Sequence, residues 1–454
     1  MKSYSKKTIK AIIKKEGIKI IALHFTDLSG HRREVCYPAG KIDDVFAGKV
    51  DFDGSSVKGF LKIDEGTLSL KPDLSTFRID PWSTEPKFAI MISDVIDPTG
   101  KLYSKATRTI LKKAIKHCQT LKLGSMFGVE MEFYFLKEEK GIYKLADTAD
   151  YCEYPSTKHV FYKLLDKMED FGIDSEPSIH EHGPSMYEIH FAPDNPLSLA
   201  DKVFLFKDLT ESLAEKEGLK ACFMPKPFSG LPGNGMHIHV SMWKNGENIF
   251  FTKEGNKFSK KGFSFLAGVM EHTRALSPIF APTLNSYKRL VPGFEAPCNI
   301  CWGYDNRSTT FRISPISSAK NAKLEFRAPD MSCDPYLTFA GVIMSGLHGL
   351  DKKLTPPKET KGNVYKYTPE KMKKSKIKSL PIDLREALNE LKKDKYLMNF
   401  FKDAGLEYIS MKSKEVNELM STVWPIERKW YYHSNAFMRE EIGRDAWRNT
   451  SLVC

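Results

Sequence analysis

"GVEMEFYF", residues Gly128–Phe135, reads as a β-strand with apolar or aromatic side chains at most positions. Glu130 and Glu132 interrupt it two residues apart, and a strand's period of two puts both carboxylates on one face. Adjacent anions on a strand otherwise fit for a core repel each other and are costly to bury unpaired. The segment calls for a source of positive charge.

Around it, further strand-like runs ("MYEIHFA", "GMHIHVSMW", "LEFRAPD") alternate with longer helical ones ("PLSLADKVFLFKDLTESLAEKEG", "FSFLAGVMEHTRALSPIF", "PYLTFAGVIMSGLHGL"). No repeat of solenoid type is visible. The first hundred residues read as a small unit. A helix near Lys6–Glu16 precedes a hairpin that turns at Ser29-Gly30, then "DFDGSSVKGF" with loop chemistry, then a strand pair in "KPDLSTFRIDPW" and "KFAIMISDVIDPTG". Asp97-Pro98-Thr99-Gly100 is a turn and a boundary signal. After it, "SKATRTILKKAIKHCQTLKLG" predicts a helix stopped by Gly124, and the C-terminal third, through "VWPIERKWYYHSNAFMREEIGRDAW", predicts helices. The class is α+β: a small N-terminal β domain, residues 1–104, and a large sheet-plus-helices domain, residues 105–454.

The bulk numbers exclude several classes. With 454 residues the chain can bury a sizeable core, and 41% hydrophobic and 28% charged residues suit a soluble protein. No apolar run is long enough to span a bilayer, and the basic N-terminus lacks a signal peptide's apolar core, so a cytoplasmic protein without a membrane partner is expected. Eight scattered cysteines argue for reduced thiols, and Cys298 and Cys301, alone as a CxxC, read as two thiols in a strand. The net charge of +12 is partly local to lysine-rich Lys352–Ser379, read as a solvated loop. No nucleic-acid motif accompanies it, so no nucleic-acid partner is expected.

Acids in other strand-like runs answer the opening segment. Glu188 lies in "SMYEIHF", Glu181 seven residues earlier across a Gly-Pro turn, Glu325 in "KLEFRAPD", and His237 shares a strand face with His239. Any one of them could be a solvated surface acid. Five carboxylates and an imidazole can converge only if their repulsion is compensated, and hard divalent cations such as Mg²⁺ or Mn²⁺ suit that donor set better than zinc. Arg289, Arg307, Arg312 and Arg327 fall within forty residues of one another and offer planar forks for carboxylate or phosphate. There is no GxxxxGK[ST] loop and no GxSxG elbow.

Six segments in order, "FDGSSVKGF", "GVEMEF", "FMPKPFSGLPGNGMHIHVS", "NSYKRLVPGFEAPC", "NRSTTFRI" and "KLEFRAPDMSCDPYL", resemble the signature segments of type I glutamine synthetases, and "WPIER" resembles the closing segment. The resemblance runs from the hairpin at Ser29 to the C-terminal helices. It implies a β-grasp N-terminal domain, a catalytic domain of curved antiparallel sheet and helices, and a homododecamer of two hexameric rings with active sites between subunits. The implied reaction joins glutamate and ammonium at the expense of ATP through a γ-glutamyl phosphate, with two or three Mg²⁺ or Mn²⁺ per site.

The resemblance also implies roles. One metal would sit on Glu132, Glu181 and Glu188, another on Glu130, His237 and Glu325. Arg289, Arg307, Arg327 and the backbone at Gly233 would hold glutamate. His239, Ser241, Arg312, Lys320 and Lys323 would meet nucleotide phosphates, with Arg312 also neutralising the transferring phosphoryl. Glu295 would sit on a flap, and Asp53, with Ser56 beside it, would come from the adjacent subunit to bind and deprotonate ammonium.

Three positions depart from the family pattern. Pro232 stands where an asparagine usually contacts the glutamate amino group, Ser185-Met186 replaces Gly-Gln between two metal-ligand acids, and Lys323 stands where arginine is common. These changes fall around the amino-acid pocket, so a γ-glutamyl ligase using an organic amine or polyamine is the alternative, and a catalytically inactive regulatory homologue the second. The lysine-rich region has no clear counterpart of the adenylylated-tyrosine segment, which matches the shorter bacterial and archaeal class. Lys62 stands where an arginine senses product in that class.

Overall fold

The computed structural model describes residues 4–255 and 257–431. The helix expected beyond residue 431 lies outside the described residues. Near the N-terminus, α1 (Lys6–Glu16) is capped by Ser5, whose hydroxyl accepts from Thr8 N–H, and stops at Gly17 in the left-handed region. The strands β1 (Ile20–Thr26) and β2 (Arg32–Pro38) form the expected hairpin. After α2 (Ile42–Phe46) come β3 (Val50–Asp53), β4 (Thr67–Pro72), β5 (Arg78–Ile79) and β6 (Phe88–Ile96). The sheet order is β2-β1-β6-β4-β3, with β1 and β6 parallel and β5 paired to β6. "DFDGSSVKGF", expected as a loop, begins as strand β3 and only then turns, because Asp51–Asp53 pair with β4.

Each face of this sheet has its own task. Ile21, Leu23, Phe25, Ala89 and Met91 pack into a local core with Ile9 of α1. Their alternating neighbours Ala22, Ile90 and Ile92 join the core of the rest of the chain. Period-two alternation thus makes one sheet serve two cores. Arg108 ties the parts electrostatically: it reaches Asp73, just after β4, and Asp94 of β6 at 2.7 and 2.6 Å, and Asp201 at 2.8 Å.

The rest of the chain begins with α3 (Thr107–Thr120). This helix ends through Lys122 at φ 56°, not at Gly124, which already belongs to the next strand. The strands β7 (Gly124–Glu139), β8 (Ile142–Leu145), β9 (Ser175–His180), β10 (Met186–Asp194), β11 (Lys220–Cys222), β12 (Met236–Lys244) and β13 (Glu247–Asn248) follow, with helices α4 (Lys158–Asp170) and α5 (Pro196–Lys216) among them. Two small pairs, β14 (Phe251–Thr252) with β15 (Lys257–Phe258) and β16 (Asn299–Ile300) with β20 (Lys378–Ser379), stand apart. Three short strands complete the large sheet: β17 (Trp302–Tyr304), β18 (Phe311–Ile313) and β19 (Leu324–Phe326). Its order is β17-β18-β19-β12-β7-β10-β9. The sheet is antiparallel, as expected, except at its edge, where β17 and β18 run parallel.

Along β7, Phe127, Val129, Met131, Phe133 and Phe135 are buried against the helical layer, and Glu130 and Glu132 point to the other face. Helices α3 and α5 lie against β7, α8 (Pro335–Asp351) packs on both, and α6 (Lys260–Phe280), α10 (Leu384–Lys393) and α11 (Lys395–Ser421) pack on α8 or on one another. The short α7 (Ser286–Arg289), α9 (Pro369–Lys374) and α12 (Pro425–Tyr431) complete the described helices. The lysine-rich segment is exposed as expected, but it holds α9 and β20 and so is not a plain loop. Among the described residues Cys36, Cys118, Cys152, Cys298, Cys301 and Cys333 are free thiols. No helix among those residues is long and apolar enough to cross a membrane.

Candidate active site

Strand register assembles the site. On one side of β7, β10 sets Glu188 opposite Glu132 and His190 opposite Glu130. On the other, β12 sets His237 opposite Glu130 and His239 opposite Gly128. Next, β19 sets Glu325 opposite His239, and β18 sets Arg312 opposite Glu325. Directly opposed residues share a face with Cβ atoms about 5 Å apart, so five strands bring distant acids and bases together without any loop.

His237 Nδ1 meets Glu130 Oε2 at 2.9 Å, and His239 Nε2 meets Glu130 Oε1 at 2.8 Å. His237 Nε2 lies 3.6 Å from Glu132 Oε1, and Glu132 Oε2 accepts from Gly235 N–H. His190 Nε2 meets Glu188 Oε1 at 2.6 Å. Glu325 is clasped by Arg327 at 2.5 Å and Arg312 at 2.8 Å, and Arg312 also holds Asp305 at 2.6 Å.

The donor set fits divalent cations. Glu130, His237 and Glu325 offer ligand atoms within 4.8 Å of one another, and so do Glu132, Glu188 and His237. The first set brings together the three residues expected for one ion. In the second, His237 stands within that distance where Glu181 was expected. Glu181 follows β9, is carried by the turn into β10, and faces the same cavity. Burial, then the charges of Glu188 and Glu132, push its carboxyl up to about 7. Burial also raises Glu132, with Glu188 adding to it and His237 opposing. Burial works against Glu130 and Glu325 as well, but His239 and His237 hold Glu130 well below its ordinary range, and Arg327 and His239 hold Glu325 at about 2. One flank is therefore neutralised by the protein's own cations while the Glu132–Glu181–Glu188 flank is short of positive charge, the condition a bound divalent ion relieves.

The cavity, about 140 Å³, is lined by Glu130, Glu132, Glu181, Glu188 and His237, together with Gly233, Arg289, Arg307, Arg312, Arg327 and Glu295. Arg289 is buried and fixed by the carbonyls of Ala328 (2.9 Å) and Arg327 (3.3 Å). Its guanidinium passes so close to Gly235 that a Cβ there would lie 2.4 Å from Nη2 and 3.1 Å from His237 Nε2. A Cβ on Gly233 would lie 2.3 Å from the Pro225 carbonyl. Close approach explains both glycines. Glu295, exposed at φ 57°, lies on the loop that borders the cavity.

The unusual positions are accommodated locally. Pro232 lines the cavity and its carbonyl accepts from Tyr134 Oη at 2.9 Å. Ser185 adopts φ 66°, the region glycine favours, and is held there by Asp147: its hydroxyl accepts from Asp147 N–H at 2.6 Å and its own N–H donates to Asp147 Oδ1 at 3.0 Å. Met186 is buried against the same cavity.

Other expected residues lie elsewhere. Ser241 is further along β12, accepting from Trp243 Nε1 at 2.9 Å, and neither it nor His239, Lys320 or Lys323 lines the cavity. Asp53 ends β3 and Ser56 lies in the short turn that follows, and neither reaches the cavity of its own chain. His190 was missed, although its place two residues after Glu188 was a period-two signal. Tyr151, stacked on His182 at 4.6 Å, and Phe294 also line the cavity, and neither carried a sequence signal.

Residues 17–98 match the model of the glutamine synthetase beta-Grasp domain, and residues 104–431 that of the glutamine synthetase catalytic domain. Among curated proteins, glutamine synthetase of Methanocaldococcus jannaschii is 39% identical over 90% of this chain and 94% of its own length. That of Pyrococcus furiosus is 38% identical over 88% and 90%, and that of Thermotoga maritima 36% over 93% and 99%. Among solved structures, a GmaS/ADP complex superimposes with a TM-score of 0.85 at 28% identity, covering 93% of this chain and 99% of that one. The Plasmodium falciparum glutamine synthetase seen by cryo-electron microscopy has the same fold, at a TM-score of 0.84, 23% identity and coverage of 95% and 99%. A β-grasp domain joined to an acid-lined sheet of this kind defines a class of ligases that use ATP and divalent metals. The chain belongs to the glutamine synthetase family.

Proposed function

We infer that the chain is a glutamate–ammonia ligase that forms glutamine at the expense of ATP. The observation that carries this reading is one cavity in which five carboxylates and His237 face four arginines, in a chain 39% identical to a named glutamine synthetase. The arginines divide the work. Arg327 has a buried Nε without a hydrogen-bond partner among the described residues, and with Arg289 and Arg307 it suits the main-chain carboxylate of glutamate. Glu132, Glu181 and Glu188 would hold one Mg²⁺ or Mn²⁺, and Glu130, His237 and Glu325 another. Such ions supply charge neutralisation for a phosphoryl group in transfer.

ATP gives its γ-phosphoryl to the side-chain carboxylate of glutamate, because a free carboxylate is a poor electrophile and an acyl phosphate a good one. Arg312 neutralises charge on the moving group, and His239, Ser241, Lys320 and Lys323 border the path of the nucleotide. Asp53 with Ser56, from a neighbouring subunit of a dodecamer, and Glu295 on the border loop attract ammonium and take its proton. Ammonia then attacks the acyl carbon and phosphate leaves. A closed loop at Glu295 keeps water from the acyl phosphate. Free thiols and the lack of a membrane-spanning helix among the described residues support a cytoplasmic setting.

The amine-ligase and inactive-homologue readings are not favoured. Every candidate metal ligand is present, and the curated relatives at 35–39% identity are glutamine synthetases. The test supplies ATP, Mg²⁺ and glutamate with ammonium, methylamine, ethanolamine or putrescine in separate reactions. Phosphate release with ammonium is expected. Release with an organic amine alone, or with no amine at all, overturns the assignment.

A further inference from the structure

The helical layer holds a second group of metal-ligating side chains that shares no residue with the catalytic cavity. His272, buried on α6, and His348, in the last turn of α8, meet through Nε2 and Nδ1 at 2.8 Å. Glu271 is exposed beside them, and one ligand atom from each of the three lies within 4.8 Å of the other two. We propose that Glu271, His272 and His348 form a non-catalytic binding site for a transition-metal ion of the Zn²⁺ class.

Three features support the assignment. The first is donor chemistry. Two imidazoles and one carboxylate suit Zn²⁺ or Co²⁺, whereas Mg²⁺ prefers an all-oxygen octahedron. The catalytic cavity, dominated by carboxylates, has the opposite bias.

The second is orientation from behind. Asp394 Oδ2 accepts from His272 Nδ1 at 2.5 Å, while its Oδ1 caps α11 through Leu397 N–H at 3.0 Å. A carboxylate on one ring nitrogen fixes the tautomer and leaves the other, Nε2, facing His348 Nδ1. Tyr396 stacks on both rings, 4.4 Å from His348 and 5.3 Å from His272, and holds their planes.

The third is that little must move. Tetrahedral ligands at metal–nitrogen distances near 2.0–2.1 Å sit about 3.3 Å apart, so the two rings part by only about 0.5 Å. Water would fill the fourth position. The ion would join α6 to α8 and, through Asp394, to the start of α11.

The experiment uses the full-length assembly, stripped with chelator and saturated with Mg²⁺, and titrates Zn²⁺ and Co²⁺ into wild type, His348→Ala, Glu271→Gln and Glu132→Gln. Wild type should bind one Zn²⁺ per subunit more than His348→Ala, with a raised Tm and a visible four-coordinate Co²⁺ spectrum. Glu271→Gln replaces an exposed side chain, so its folding is secure. It should weaken the extra site at least tenfold and leave Mg²⁺-dependent activity unchanged. Glu132→Gln should keep the extra site, which separates it from the catalytic cavity. Equal Zn²⁺ stoichiometry and equal Tm gain in wild type, His348→Ala and Glu271→Gln would overturn the proposal.

Discussion

Glu130 and Asp53 are both acids on strands, and both are expected at the same reaction, yet the fold treats them differently. Glu130 sits mid-strand with His190 opposite on one side and His237 on the other, so its partners are fixed by register within one chain. Asp53 ends β3, caps a short turn, and spends its carboxylate on Ser55 and Ser56, whose hydroxyls hold its pKa below the ordinary value. It is exposed and outside its own chain's cavity. Backbone pairing can complete the cation end of a site inside one subunit. An exposed turn supplies a side chain without the surface it acts on, and the proposed neighbouring subunit provides that surface.

The largest effect should come from the register-built end. Glu132→Gln keeps an acceptor for Gly235 N–H but removes the charge opposite Glu188. Several kcal/mol of phosphoryl-transfer stabilisation should be lost, on the order of 10³-fold in kcat, with the fold intact by circular dichroism. Mg²⁺ affinity by calorimetry should fall with it. Near-normal turnover would show that the Glu132–Glu188 pair is merely structural.

The exposed end should respond more weakly and in a different quantity. Asp53→Asn should cost about 10²-fold in turnover with Mg²⁺ affinity unchanged, the signature of a lost proton acceptor. Subunit mixing sharpens the contrast. Equimolar Asp53→Asn and Glu132→Gln chains, unfolded and reassembled together, should recover roughly a quarter of wild-type activity, because random assembly places an intact cavity beside an intact Asp53 in that share of sites. No recovery would mean that Asp53 serves its own chain.

The same contrast explains what the sequence disclosed. Glu130, Glu132, Glu188, Glu325 and His237 lie in strand-like runs where a period of two reveals the shared face, and the strands pair as that pattern requires. Glu181 was nameable from its turn, but its exclusion from the tight ligand group depends on a distance that no pattern encodes. The helix stop at Lys122 was hidden because lysine rarely takes the left-handed region that the neighbouring Gly124 advertises. The parallel β17–β18 edge rests on three-residue strands, too short to carry periodicity. Asp147, in a polar stretch, gave no signal at all, since its partners besides Thr157 (His180, Ser185 and Tyr187) arrive from distant strands and turns.

That last residue offers the smallest effect and the finest test of how the cavity is held. Asp147 accepts from Thr157 Oγ1 at 2.7 Å, Tyr187 Oη at 3.0 Å, Ser185 N–H at 3.0 Å and His180 Nε2 at 3.1 Å, and His180 Nδ1 donates to the Glu181 carbonyl at 3.0 Å. Burial opposes the Asp147 charge, but the His180 and Thr157 hydrogen bonds win and bring it to about 2, below its ordinary 3.8. Its stabilisation is therefore present above pH 3.8 and lost as pH falls through about 2. Burial likewise opposes the His180 charge, but the Asp147 hydrogen bond raises its pKa above 6.5, so its share is full below 6.5 and fades as pH rises past the folded value. Asp147→Asn should cost about 2 kcal/mol in chemical denaturation near pH 5, less at pH 8, and only a small fraction of that near pH 2, with turnover down only severalfold. Because Ser185 and Glu181 both hang on this pair, Mg²⁺ affinity should weaken in parallel with stability. If stability falls while Mg²⁺ affinity holds, the network supports the fold alone, and the β9–β10 turn keeps Glu181 in place without it.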